Sequence, residues 1–144
     1  AIRLPEDQVR AMGRAAHGVK GITLDDDDQV IAMDVVTPGG ELLTVSETGY
    51  GKRTSLEEYR ITNRGGKGVK TMNQTQKTGK LVGARVVQDH HDIMLISLQG
   101  IMIRMSVADI SQMGRSTQGV ILMKLQDEND KIVALAKLAS KEDE

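Results

Sequence analysis

Residues 63–70 read Asn-Arg-Gly-Gly-Lys-Gly-Val-Lys, and two related octapeptides stand at residues 13–20 and 114–121. In each copy an arginine is followed, four residues later, by a glycine that precedes a valine. The three arginines are 50 and 51 residues apart, and the three glycines keep the same steps. Because self-similarity at a fixed period of this length is the mark of a repeat architecture, the sequence predicts a fold built from repeated units.

Two further landmarks keep the same period. Arg3, Arg53 and Arg104 precede the octapeptides at steps of 50 and 51 residues. Gly49 and Gly100 are 51 residues apart, and each ends an apolar segment four residues before one of these arginines. Agreement of independent landmarks indicates a true repeat.

The landmarks divide the chain into unequal pieces. We expect residues 1–12 to end one blade, 13–62 and 63–113 to form two repeats, 114–138 to begin another, and 139–144 to form an acidic tail. Two full repeats are too few to close a ring, and terminal repeats need a neighbour to cover their faces. The alternatives are an open arc, a strand exchanged between chains, or a larger parent protein, which we favour.

Short apolar segments within each unit predict strands. In residues 101–107 the apolar residues at 101, 103, 105 and 107 alternate with Met102, Arg104 and Ser106, the period of two expected of a half-buried strand. Single helical turns are predicted after Pro5, Ser55 and Ser106, where acidic residues follow. Four strands per unit at this step are typical of bladed, propeller-like proteins, so the fold class is predicted as all-β. The other apolar segments are 42–45, 93–96, 120–123 and 132–135.

Composition excludes several classes of protein. The chain of 144 residues has no cysteine and therefore neither disulfides nor thiolate metal sites. Tyr50 and Tyr59 are its only aromatic residues, so the core must be aliphatic. No apolar run approaches the ~20 residues that a membrane span needs. We expect a soluble, cytoplasmic chain with no membrane association.

The arrangement of charge is more informative than the net charge of −1. Between residues 50 and 70, six basic residues stand against two acidic ones. If the repeats stack around an axis, Arg14, Arg64 and Arg115 form a basic row on one edge. Such a row neutralises phosphates without reading bases, and the near absence of aromatic residues disfavours stacking of single-stranded bases. Double-stranded DNA is the predicted partner.

A basic, Gly-rich turn can also be a solvated turn that binds no DNA. A single turn of this kind is usually of that solvated type. Recurrence in three registers favours binding. The candidate DNA-binding residues are Arg14, Lys20, Lys52, Arg53, Arg60, Arg64, Lys67, Lys70, Arg104 and Arg115.

Three stretches resemble the C-terminal DNA-wrapping domain of bacterial DNA gyrase A. They are Gly18-Val19-Lys20-Gly21-Ile22, Gly49-Tyr50-Gly51-Lys52-Arg53-Thr54 and Gly114-Arg115-Ser116-Thr117-Gln118-Gly119-Val120-Ile121-Leu122. The wrapping motif of that family, Q-R-R-G-G-K-G, is matched at its last five positions by residues 64–68, while Thr62 and Asn63 replace the first two. The resemblance implies a fragment, comprising later blades, of a six-bladed β-pinwheel with four-stranded blades and a basic rim that wraps DNA.

The resemblance also implies the role of the parent protein. That protein is expected to be an ATP-dependent type II topoisomerase that introduces negative supercoils, a heterotetramer assembled from gyrase A and gyrase B. ATP and Mg²⁺ are implied for the holoenzyme only, and we expect no catalytic residue, cofactor or metal site in this chain. The C-terminal domain of the corresponding topoisomerase IV protein is the alternative, and a propeller-like protein-interaction module without a DNA role is the alternative of another class.

Overall fold

Seven strands and three single-turn helices make up the secondary structure in the computed structural model, which describes residues 1–139. Of the acidic tail predicted at 139–144, residues 140–144 lie outside the described residues. The strands are β1 (Glu41–Ser46), β2 (Tyr50–Ser55), β3 (Leu81–Val87), β4 (Asp92–Ser97), β5 (Met102–Ser106), β6 (Val120–Ile121) and β7 (Ile132–Leu138). The 3₁₀ helices are Glu6–Gln8, Leu56–Glu58 and Val107–Asp109. The predicted all-β class and the three helical turns are confirmed.

The strands form two antiparallel sheets, with strand orders β3-β1-β2-β6 and β5-β4-β7. Each sheet is centred on a hairpin, β1 with β2 or β4 with β5. The next strand in each sheet comes from the following unit, because β3 pairs with β1 and β7 pairs with β4. Each sheet is therefore one blade, and consecutive units are laced together by backbone hydrogen bonds.

The glycines at positions 49 and 100 close the two hairpins. Gly49 has φ of 96° and Gly100 has φ of 89°, a region that glycine enters without steric cost. The hydroxyl of Ser46 accepts a hydrogen bond from the Tyr50 amide at 3.2 Å, and Ser97 does the same for Ile101 at 3.1 Å. The glycine landmark found in the sequence is thus the hairpin turn.

The main hydrophobic core lies between the two blades. Leu43 and Val45 of β1, Val87 of β3, and Ile93 and Leu95 of β4 are all completely buried in one cluster. A smaller cluster forms around Tyr59 and Leu56. Because both blades contribute to the main cluster, burial of apolar surface holds them together.

Residues 30–36 differ from their counterparts in the later units. They occupy the repeat position of β3 and β7 but form no strand, and Val30, Met33 and Val35 are 62%, 93% and 67% exposed. No hairpin in the described part of the chain lies beside them to accept their hydrogen bonds. The unit predicted at 13–62 consequently has a hairpin but no strand at the repeat position of β3 and β7.

The strand predictions need correction in three places. The predicted strand at 120–123 extends only over Val120–Ile121, because β6 pairs with just the first two residues of β2. Strands β2 and β3 were not predicted. Lys52 and Arg53 interrupt the apolar pattern of β2. Gly83 and Arg85 interrupt that of β3. None of the helices in residues 1–139 is long and apolar enough to cross a membrane.

Candidate nucleic-acid interface

Three basic, Gly-rich turns are joined in chain order along a surface that we call the rim. The guanidinium Nη1 of Arg64 donates to the carbonyl oxygen of Lys20 at 3.4 Å, and Nη1 of Arg115 donates to that of Lys70 at 3.0 Å. Each arginine therefore reaches back to the segment that follows the preceding turn. The turns are the first turn (13–18), the second turn (63–68) and the third turn (114–119).

Backbone hydrogen bonds repeat the same connection. The amide of Thr23 donates to the Gly66 carbonyl at 2.8 Å, and the amide of Asn73 donates to the Thr117 carbonyl at 2.9 Å. The two donors are one repeat step apart in the sequence, and so are the two acceptors. Regular spacing in the sequence thus becomes regular spacing of the turns in space.

Side chains at the ends of two helical turns hold the second and the third basic turn. Oε1 of Gln8 accepts the Arg64 amide at 2.7 Å, and Oε1 of Glu58 accepts the Arg115 amide at 3.3 Å. Gln8 and Glu58 are the last residues of their 3₁₀ helices. The geometry is shared, but the second turn is held by a neutral amide and the third by a carboxylate.

Most of the predicted DNA-binding side chains on or next to the rim are exposed. Their charges are available to a polyanion, which is the property that phosphate binding requires. The exposed residues are Arg14, Lys20, Arg60, Arg64, Lys67 and Lys70.

Arg115 is half-buried, and its guanidinium is only partly satisfied. Its Nε atom is buried and has no hydrogen-bond partner in the described part of the chain. A buried donor without a partner costs about 1–3 kcal/mol. Turning the Arg115 side chain toward a phosphate would break the contact with the Lys70 carbonyl but give the Nε donor a partner, so the two effects oppose each other.

The expectation of a direct phosphate contact is wrong for Lys52. The residue is completely buried, and its ammonium donates inward to the carbonyls of Gly114 at 2.6 Å, Arg115 at 2.9 Å and Thr117 at 2.9 Å. It also contacts Oγ1 of Thr117 at 3.0 Å. Desolvation lowers the pKa of Lys52 to about 8, so the side chain is cationic at neutral pH and holds the third turn from beneath.

Arg53 is likewise a structural residue and not a rim residue. Its side chain is 12% exposed, and Nε donates to the Ile110 carbonyl at 2.7 Å. Nη1 lies 3.0 Å from a Glu41 carboxylate oxygen and 2.5 Å from one of Asp89. Through Nε and Nη1 the guanidinium clips the turn after β5 to the preceding blade.

The other two members of this arginine series show how the clip depends on the neighbouring unit. Arg3 donates from Nη1 to the Leu56 carbonyl at 2.8 Å, so it also holds a helical turn of the following unit, but at a different carbonyl position from the one that Arg53 uses. Arg104 is 55% exposed and instead pairs with Asp92 of its own hairpin at 2.8 Å. Arg104 is therefore neutralised locally, which weakens its prediction as a DNA contact.

The third turn presses directly on strand β2. Gly119 has φ of 84°, and a Cβ there would lie 2.6 Å from the Gly51 carbonyl oxygen. Gly18, at the same position of the first turn, has φ of 76° but nothing within 4 Å. The two glycines share their backbone conformation and differ only in the neighbour.

This difference gives a stability prediction. We expect Gly18→Ala to lower the free energy of unfolding by about 1 kcal/mol, from backbone strain alone. Gly119→Ala should cost about 3 kcal/mol, because a steric clash adds about 1–3 kcal/mol to the same strain. Urea denaturation of the two variants measures the difference, and equal losses would show that the third turn does not press on β2.

Asp127 and His91 have local hydrogen-bonding roles. Asp127 accepts the Asn129 amide and the Gln99 side chain, both at 2.9 Å. Nδ1 of His91 accepts the Gln88 amide at 2.9 Å. Within residues 1–139, no three or more His, Cys, Asp or Glu residues form a group suited to a metal ion.

Comparison with known proteins places these features in a family. Residues 1–37, 40–88 and 91–139 match the sequence profile of the DNA gyrase C-terminal domain, a β-propeller. This chain belongs to the DNA gyrase C-terminal domain family. Two of the matched segments start 51 residues apart and begin at the hairpins, whereas our division by sequence begins at the basic turns. The period is the same and only the starting point differs.

Relatives in this gyrase family include much longer proteins. The chain is 48% identical over 129 residues to the DNA gyrase A protein of Staphylococcus aureus strain MRSA252, and the match covers 88% of this chain and 15% of the relative. The DNA gyrase A protein of strain NCTC 8325 is equally similar, with 14% of its length covered. The chain thus spans a small part of the curated relatives that it matches.

Two solved structures share the fold of this gyrase-family chain. A DNA gyrase A C-terminal domain superposes with a TM-score of 0.87 at 29% identity, covering 94% of this chain and 46% of that domain. The C-terminal domain of a DNA topoisomerase IV superposes with a TM-score of 0.88 at 22% identity, covering 96% and 43%. The second likeness is informative about the fold alone.

Proposed function

We propose that this chain is part of a domain that binds and wraps double-stranded DNA in a gyrase A protein. The observation that carries the proposal is the joining of three basic turns in register, through Arg64 to Lys20 and Arg115 to Lys70. A row of cations at repeated spacing suits the repeated phosphates of a duplex backbone. Family membership and the similarity to DNA gyrase A support the same function.

The rim is suited to sequence-independent binding. Its exposed groups are guanidinium and ammonium groups, which contact phosphates but do not discriminate bases without entering a groove. Smooth bending of a duplex over 20–30 base pairs costs on the order of 1–6 kcal/mol. Many phosphate contacts around a curved rim offset that cost, so binding and bending are coupled.

The proposed parent protein is an ATP-dependent type II topoisomerase. In it, this domain would wrap DNA with a fixed handedness and present a segment for strand passage, so that negative supercoils result. Gyrase B is the proposed partner, the bacterial cytoplasm is the proposed location, and ATP and Mg²⁺ would act in other parts of the enzyme. We assign no catalytic residue to this chain.

Binding of the 144-residue chain to duplex DNA at several salt concentrations tests the proposal. We expect binding at low salt and a steep loss of affinity as salt rises, with little dependence on base sequence and weaker binding to single strands. The absence of duplex binding at low salt would contradict the proposal and favour the protein-interaction module.

Wrapping is tested separately from binding. When nicked plasmid DNA is closed by ligase with the protein bound, wrapping with a fixed handedness leaves a linking-number change of a single sign after the protein is removed. We expect such a change with the gyrase A protein that contains this chain. An unchanged linking number would favour the weaker-wrapping topoisomerase IV alternative.

A further inference from the structure

The second and third turns differ in the direction of one peptide group. Gly65 of the second turn has φ of 86°, and its amide donates to the Gly21 carbonyl at 2.6 Å. The same position in the third turn is Ser116, and no residue other than glycine has positive φ in the described chain. The Ser116 amide donates to no protein acceptor within residues 1–139. The two turns therefore use this peptide in different ways.

The cause of the difference lies beneath the turns. Lys52 of β2 points its ammonium at the carbonyl of Arg115 at 2.9 Å. Since the C=O and N–H of a trans peptide point in opposite directions, the Ser116 amide faces away from the buried cation. The Thr117 carbonyl is drawn to the same ammonium at 2.9 Å, so the Gln118 amide also faces away.

An internal comparison supports this cause. The residue at the repeat position of Lys52 beneath the second turn is Ile2, and its Cδ1 would lie 3.6 Å from a Cβ built on Gly66. An isoleucine offers no charge to attract the carbonyl oxygens of the second turn. There the corresponding amide, that of Gly65, donates to a protein acceptor, the Gly21 carbonyl.

We infer that Lys52 is a positioning residue, which turns the amides of Ser116 and Gln118 outward so that, with the Arg115 guanidinium, they bind a DNA phosphate. Successive backbone N–H groups that converge in a turn make an anion-binding concavity. Ser116 is exposed, so a phosphate can approach it. The inference rests on the proposed function and deepens it, because it identifies which groups of the rim take a phosphate.

The charges around the ammonium are consistent with this role. Desolvation lowers the pKa of Lys52 to about 8, the Glu58 carboxylate opposes that shift, and the Arg115 guanidinium adds to it. Glu58 is the last residue of the 3₁₀ helix Leu56–Glu58, and Arg115 belongs to the third turn. Below a pH of about 8 the ammonium is charged and attracts all three carbonyls, whereas above that pH this attraction falls.

Amide NMR of the full chain tests the orientation directly. We expect the Ser116 and Gln118 amide resonances to shift on addition of duplex DNA, and to a smaller extent on addition of inorganic phosphate. In Lys52→Met, which removes the charge but retains an apolar stem, these responses should be lost. Lys80→Met is the matched control, because it removes an exposed lysine outside the three turns and should leave the two responses in place.

A double-mutant cycle separates positioning from simple loss of charge. In the native background Arg115→Ala should weaken duplex binding by about tenfold, the worth of one charge-assisted contact. In the Lys52→Met background the same change should weaken binding less than about twofold, since the third turn is already misoriented. Equal effects in both backgrounds would overturn the inference. Lys52→Ile, which introduces the residue found at position 2, replaces Lys52→Met if the methionine variant fails to fold.

The pH profile provides a third measurement. As pH rises through about 8, Lys52 loses its proton, and duplex affinity of the native chain should fall relative to that of Lys52→Met. If the native chain binds duplex DNA but the Ser116 and Gln118 amides do not respond, the inference fails while the proposed function stands. If the native chain does not bind duplex DNA at all, the proposed function itself fails.

Discussion

Simultaneous replacement of Arg14, Arg64 and Arg115 by alanine is expected to reduce the slope of log Kobs against log salt by about 2.7, since each phosphate contact contributes about 0.9. The same relation predicts a loss of duplex affinity of about 10²–10³-fold at about 0.1 M salt. These arginines hold equivalent positions in three turns that are joined in register. A fluorescence anisotropy titration over a series of salt concentrations measures both quantities.

A matched triple variant controls for the loss of charge. Lys80→Ala, Lys124→Ala and Lys131→Ala also remove three exposed positive charges, but from loops outside the three turns. We expect a much smaller change in slope and affinity from this variant. Equal effects of the two triple variants would mean that the chain binds DNA through diffuse charge, and the rim would then have no special role.

Replacement of Arg53 by methionine is expected to lower the free energy of unfolding by about 3 kcal/mol, the lower end of the range for breaking a buried ion pair. The substitution leaves the half-buried Glu41 carboxylate and the Ile110 carbonyl without their donor. Asp89 is 76% exposed and contributes little, because solvent screens that contact. Chemical denaturation monitored by circular dichroism measures the loss.

Arg104 provides the matched control for Arg53. It holds the same repeat position, yet it is 55% exposed, and its ion pair within residues 1–139 is with Asp92 of its own hairpin. Arg104→Met should therefore cost less than about 1 kcal/mol, as is usual for a surface ion pair. If Arg53→Met reduced the salt slope of DNA binding without loss of stability, Arg53 would be a rim contact and the structural role assigned to it would be wrong.

The repeat and the all-β class could be predicted because their signals are local. Glycines at hairpin ends and in the basic turns adopt positive φ, which few other residues tolerate. Arginine and glycine therefore recur wherever the same backbone geometry recurs. The helical turns after Pro5, Ser55 and Ser106 were also predicted, because the signals for a single turn are local. Of these three residues, only Ser55 caps its turn with the side chain, which accepts the Glu57 amide.

The sites of individual basic residues were harder to predict. Lys52 and Arg53 are neighbours in β2, so their side chains point to opposite faces of the sheet. One reaches beneath the third turn and the other clips the turn after β5, and neither lies on the rim. Sequence reasoning grouped them with the exposed lysines and arginines because charge alone does not reveal which partner a side chain meets.

The sequence by itself determined the period, the fold class, the three helical turns and the three basic turns, since each depends on conformational preferences within a few residues. Only the tertiary structure decided that β3 and β7 pair with the hairpins of the preceding unit, that Lys52 is buried, and that the three turns are joined by Arg64 and Arg115. These features depend on backbone pairing and hydrogen bonds between residues about 35 to 65 positions apart. Such partners are selected by the packing of whole blades, a property that no local pattern contains.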